Sequence, residues 1–113
     1  MACFQNLRVY HAALNQIRTI AELSTDVRFG DLSQQMRRAA ISVVSNIVEG
    51  AGRGNDADYA RFLSIARGSN DELAAQLHIL AAVNGTSVTQ ALALNDTTGR
   101  MLTVLIRYLR GGG

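Results

Sequence analysis

No proline interrupts the 113 residues of this chain. Inside a helix, proline removes a hydrogen bond and collides with the preceding turn, while β-rich folds recruit it freely at turns and edges. Its complete absence, beside abundant Ala, Leu, Ile, Val and Arg, therefore favours long helices and an all-α fold. Length allows one domain, residues 1–113, and 48% apolar with 18% charged residues excludes intrinsic disorder.

Spacing divides the chain into four amphipathic helices, at about 5–24, 32–50, 56–84 and 87–110. In the first, Leu7, Tyr10, Leu14, Ile17 and Ala21 recur at steps of three and four and are expected to face the core. Phe29, in the following break, is expected to plug the bundle end, and Asp31 with Gln34 resembles a capping box for helix two. Helix two carries two apolar stripes, one through Met36, Ala40, Val43 and Ile47 and another through Ile41, Val44 and Val48. A four-helix monomer uses one broad stripe per helix, so the second implies a central position or a contact with another subunit.

Helix three is expected to turn Tyr59, Phe62, Ala66, Leu73, Leu77 and Leu80 inward after an Asn55 or Asp56 cap, and to stop at Asn84-Gly85. Thr86 or Ser87 would cap helix four, whose inner stripe reads Ala91, Leu94, Thr98, Leu102, Leu105 and Leu109; the final three glycines are expected to fray. Short connections join such helices into an antiparallel up-down-up-down bundle.

The run from Gln35 to Arg53, QMRRAAISVVSNIVEGAGR, resembles the signature of four-helix-bundle proteins encoded within intervening sequences of bacterial 23S rRNA genes. Tyr59 to Ser69, with Glu72, Leu73, Gln76 and Leu77, is similar to the same family's third helix. Phe4, Leu7, Val9 and Ala12 near the start, and Gly99 to Leu102 with Leu105 and Ile106 near the end, extend the likeness over nearly the whole chain. Val44 stands where the family usually has proline, and Ala51 where an aromatic is common. The resemblance implies a cytosolic four-helix bundle that assembles as a homopentamer and has no known activity. The family is also similar to a pentameric accessory protein of diversity-generating retroelements, which implies RNA or DNA as a partner.

A polar stripe, Arg38, Ser42, Ser45, Asn46 and Glu49, runs along helix two, and a turn near residues 53 and 54 would bring helix three antiparallel to it. That register sets Arg38 opposite Ser69 and within a turn of Glu72, Ala39 opposite Gly68, and Asn46 opposite Arg61 with Glu49 one turn away. Two readings follow: the charges pair to fix register or subunit contacts, so that losing Glu72 costs stability; or the stripe and Arg53 line a groove for a phosphate or peptide. Gly68, unfavourable in mid-helix, is expected to admit close approach of Ala39 or Ala40.

All eleven basic residues are arginine, against nine acids, and the net charge of +2 does not announce a nucleic-acid binder. In a ring of copies, Arg37, Arg53 and Arg67 become candidate nucleic-acid contacts; the alternative is a protein-interaction scaffold that binds no nucleic acid. No catalytic, cofactor or metal set emerges. His11 and His78 lie on different helices, Ser45 has no histidine in helical reach, and the glycines at 50, 52 and 54 lack the strand and Lys-Ser/Thr ending of a phosphate loop. A non-enzymatic chain is expected. The single cysteine, Cys3, forms no internal disulfide, which suits the cytoplasm, and no membrane span is expected.

Overall fold

The computed structural model describes residues 7–26 and 29–112. Four helices follow one another: α1 (Arg8–Leu23), ending in a single 3-10 turn at Ser24–Asp26, α2 (Leu32–Ala51), α3 (Asp56–Asn84) and α4 (Thr89–Leu109). Each contacts its neighbours in sequence, and α4 closes on α1, which makes the all-α, antiparallel up-down four-helix bundle that the spacing predicts. The molecule measures 43 × 21 × 20 Å.

The core has three layers along the bundle axis. One apolar cluster gathers Ile20, Leu32, Met36, Leu73, Leu77, Leu80 and Ala91; the other gathers Val9, Ala13, Val43, Ile47, Leu63, Leu102 and Ile106. Between them lie the buried polar side chains Gln16, Asn70, Asn95 and Thr98. Gln16 Nε2 donates to Asn70 Oδ1 at 2.9 Å. Asn70 Nδ2 donates to the Asn95 carbonyl at 3.0 Å, and Asn95 Nδ2 returns a bond of 2.9 Å to the Asn70 carbonyl. Thr98 is tied to the Leu94 carbonyl of its own helix. The two asparagines thereby pin α3 to α4 at one register.

Helix ends confirm some signals and correct others. Asn55 caps α3 by accepting from the Asp58 N–H at 2.8 Å, and Gly85 ends it in the left-handed conformation, φ 66°. Asp31 occupies the N-cap of α2 without a side-chain cap bond; it accepts from Gln35 Nε2 instead, so no capping box with Gln34 forms. Val88, not Thr86 or Ser87, precedes α4, and α4 starts two residues later than expected. Val88 is buried in the core cluster, so packing sets this boundary where a polar cap was expected. Gly111 and Gly112 are tied back to Tyr108 and Arg107, with Gly111 at φ 77°, a Schellman-type ending where these two were expected to fray; Gly113 lies outside the described residues.

Three core expectations are corrected. The buried face of α1 runs one residue earlier than its large apolar stripe, through Val9, Ala13, Gln16 and Ile20, about 100° round the helix. Tyr10, Leu14 and Ile17 are half-buried and Ala21 exposed, because small Ala12 and Ala13 take places on the buried face. Phe29 is 56% exposed and plugs nothing. Around Gly68 an added Cβ would meet no atom within 4 Å, so no helix approaches it closely. Gly68→Ala is accordingly expected to raise stability by about 0.5–1 kcal/mol through helix propensity, read by urea denaturation.

The close approach occurs at Gly50, where an added Cβ would stand 2.9 Å from Phe62 Cβ and 3.0 Å from Tyr59 Cδ1. That contact sets the register of α2 against α3, and Ser42, one turn beyond Arg38, is the residue that meets Ser69. The expected register is therefore corrected by one turn, about 6 Å. The start of helix one at residue 5, and Cys3, Phe4 and Arg28, lie outside the described residues.

Candidate functional site

The polar residues of α2 and α3 form a seam along their shared outer edge. At its middle the half-buried hydroxyls of Ser42 and Ser69 share a hydrogen bond of 2.8 Å. Asn46 reinforces the spot by donating to the Ser42 carbonyl at 2.9 Å and to its hydroxyl at 3.1 Å. Ser45 is exposed beside them.

Toward the α2–α3 turn the seam becomes a charge cluster. Arg53 pairs with Glu49 at 3.2 Å and with Asp58 at 3.6 Å, and Arg61 pairs with Asp58 at 3.5 Å. Both guanidinium groups lie over the Phe62 ring, 5.1 and 4.5 Å from its centroid, so the aromatic face and Asp58 together gather them. Every ion-pairing side chain is 36% exposed or more, which limits each pair to about 0–1 kcal/mol. Arg61 thus pairs within its own helix where Glu49 was the expected partner. Local partners three or four residues away reach these charges at lower entropic cost than a partner across the seam.

At the other end, Arg38 and Glu72 are both exposed, and no ion pair joins them among the described residues. Glu72 instead accepts from Gln76 Nε2 at 3.3 Å. The pairing that would make Glu72 costly to lose is absent.

The candidate nucleic-acid contacts do not come together in one copy. Arg37 projects from the α1 side of α2, Arg53 sits in the charge cluster, and Arg67 lies half-buried in the groove between α3 and α4. That groove, about 430 Å³, also holds Asp71, Asp96 and Arg100, so its charge is balanced. A depression of about 380 Å³ at the α2–α3 turn includes Tyr59, whose phenol is pushed above its usual pKa by burial. Its hydroxyl has no hydrogen-bond partner. A larger depression, about 730 Å³, lies between α1 and α4 and is mostly apolar.

No group of three His, Cys, Asp or Glu side chains able to hold a metal occurs among the described residues. Nor is any described helix long and apolar enough to cross a membrane. What the seam offers chemically is recognition: hydroxyls, an amide and two stacked guanidiniums on an open surface, without a nucleophile set against a base.

The sequence pattern of the 23S rRNA-intervening sequence protein family matches residues 5–107. The chain belongs to that family. The match covers α1, α2 and α3, all but the last two residues of α4, and the seam. Among curated proteins no sequence matches. Among solved structures, a protein of unknown function from the S23 ribosomal protein family of Bacteroides thetaiotaomicron superposes with a TM-score of 0.73 at 22% identity. The alignment covers 89% of this chain and 97% of that one, and at such identity it shows a shared fold.

Sequence reasoning located the seam but missed the Gln16–Asn70–Asn95 layer. Asn70 and Asn95 do recur at helical spacing with buried apolar neighbours, Ala66 and Leu73 on α3, Ala91 and Leu102 on α4, which was the available signal.

Proposed function

We propose that this chain is a non-enzymatic scaffold that self-associates, with the outer edge of the α1–α2 seam as the contact. The observation that carries this reading is apolar surface left over by the monomer on both helices. On α2, Ile41 is 53% exposed, with Val44 and Val48 half-buried beside it. On α1, helical spacing turns half-buried Tyr10, Leu14 and Ile17 toward the same edge. The strip's rim carries both signs, exposed Arg18 and Arg37 with exposed Glu22, which suits contact between copies because opposite charges can pair across it. Membership of the intervening-sequence family supports a ring of five through the resemblance described above, and a protein acting in the cytoplasm.

Native mass spectrometry with size-exclusion chromatography tests this reading. The wild-type chain is expected to run as a discrete oligomer, a pentamer on the family resemblance, and Ile41→Glu to shift it to monomer with an unchanged helical spectrum. A wild-type chain that is monomeric at micromolar concentration overturns the proposal.

Action as an accessory to RNA or DNA remains the second reading, supported by the arginine-only basic set and by the family's genetic address. Within one copy Arg37, Arg53 and Arg67 point from different sides, so this reading requires a ring to gather them. A mobility-shift titration decides between scaffold and accessory: RNA binding that weakens steeply with salt supports the accessory, and no binding at about 50 mM salt eliminates it.

A further inference from the structure

The groove between α1 and α4 combines an apolar lining with positive charge. Val9, Met101 and Leu105 line it together with Val104 and Tyr108, which are 63% and 70% exposed, the highest values among the large apolar side chains described. Val104 and Tyr108 stand four residues apart on one face of α4, about 6 Å along its axis. Among the described residues, Arg8 on α1 and Arg100 on α4 are its only charged lining residues, and no acid lines it. Arg100 does pair with Asp96 at 2.9 Å, but these side chains are 80% and 62% exposed. Such a pair holds so weakly that a competing carboxylate can replace it.

We propose that this groove docks an amphipathic helix of another protein, whose apolar side chains lie on Val104, Tyr108 and Leu105 and whose acidic flanks meet Arg8 and Arg100. The lined stretch of α4, Arg100 to Tyr108, is about 12 Å long and accommodates two helical turns, which present apolar anchors at i, i+4 and i+7. Charge selects a foreign helix over a second copy. A copy presenting the same groove would set Arg8 and Arg100 against their own counterparts. A copy presenting its α1–α2 strip would bring up Arg18 and Arg37, which outnumber the strip's Glu22. The proposal deepens the reading of the chain as a protein scaffold, on a face separate from the self-association strip.

A designed helical peptide with leucines at i, i+4 and i+7 and flanking glutamates, fluorescently labelled, tests this by anisotropy against the full chain. A second peptide replaces every glutamate by lysine. The glutamate peptide is expected to bind at least about tenfold more tightly, with the advantage shrinking as ionic strength shortens the screening length. Val104→Asp, at an exposed position, should abolish binding while leaving the melting temperature and the assembly mass unchanged. Arg8→Glu combined with Arg100→Glu should invert the preference between the peptides.

No binding of the glutamate peptide, or equal binding of both peptides, overturns the proposal. So does a Val104→Asp chain whose mass falls in native mass spectrometry, since the groove then belongs to contact between copies. A wild-type chain that is monomeric yet binds the glutamate peptide selectively upholds the groove while removing the self-association strip, so the two readings fail separately.

Discussion

Asn70→Ala is expected to lower stability by about 3 kcal/mol, a fall in melting temperature of roughly 12–24 °C for a domain of this size. The Asn70 side chain is 1% exposed and uses both ends of its amide. Its oxygen receives the Gln16 Nε2–H at 2.9 Å and its nitrogen donates to the Asn95 carbonyl at 3.0 Å. Alanine leaves the Gln16 amide N–H buried without that bond, at about 1–3 kcal/mol for a group stranded in low dielectric, takes from the Asn95 carbonyl the bond it accepts beyond its own helix, and adds a void. The layer has no slack to absorb the loss, because Gln16 Oε1 already lacks a partner. Urea denaturation at matched protein concentration measures the effect. A loss below about 1 kcal/mol would show that the layer contributes little to holding α1, α3 and α4 in register.

The same layer marks where sequence reading stopped. Helix number, order and most boundaries are legible because a proline-free chain with apolar residues at steps of three and four leaves little choice. The core face of α1 is not legible by size alone. Its largest apolar residues, Tyr10, Leu14 and Ile17, flank the buried face, while Ala12, Ala13 and Gln16 occupy it. Periodicity ranks residues by hydrophobicity and therefore discards a buried glutamine, whose burial becomes tolerable only once a partner 54 positions away supplies the hydrogen bond. That displacement of large side chains to the flank of α1 is also what leaves the α1–α2 edge apolar, the feature on which the proposal of self-association rests.

The charge seam was legible in composition and misread in pairing. Spacing puts Ser42, Asn46 and Glu49 on one face of α2 together with Arg38 and Ser45. Partner assignment across the seam depends on register, and register follows from where α2 and α3 approach most closely. Three glycines and small residues near the turn make that point ambiguous in sequence; the side chains of Tyr59 and Phe62 resolve it by closing over Gly50.

Gly50→Leu is therefore expected to cost about 3 kcal/mol or more, and to do so by a different route from Asn70→Ala. Gly50 lies within α2, at a helical position where a larger residue would normally be preferred. Its first added carbon already stands 2.9 Å from Phe62 Cβ and 3.2 Å from the Tyr59 carbonyl, so the obstacle includes atoms at and next to the α3 backbone, which cannot rotate aside. A leucine must push α3 outward, at the usual overpacking cost of about 1–3 kcal/mol or beyond. Displacing Phe62 also removes the ring beneath Arg53 and Arg61, and the shift propagates along the seam to the Ser42–Ser69 hydrogen bond. The two mechanisms separate in the companion substitution. Gly50→Ala gains helix propensity yet still meets Phe62, and is expected to destabilise, whereas Gly68→Ala in open space gains the same propensity and stabilises. If Gly50→Ala proves as stabilising as Gly68→Ala, α2 and α3 do not touch at Gly50, and the one-turn register described for the seam is wrong.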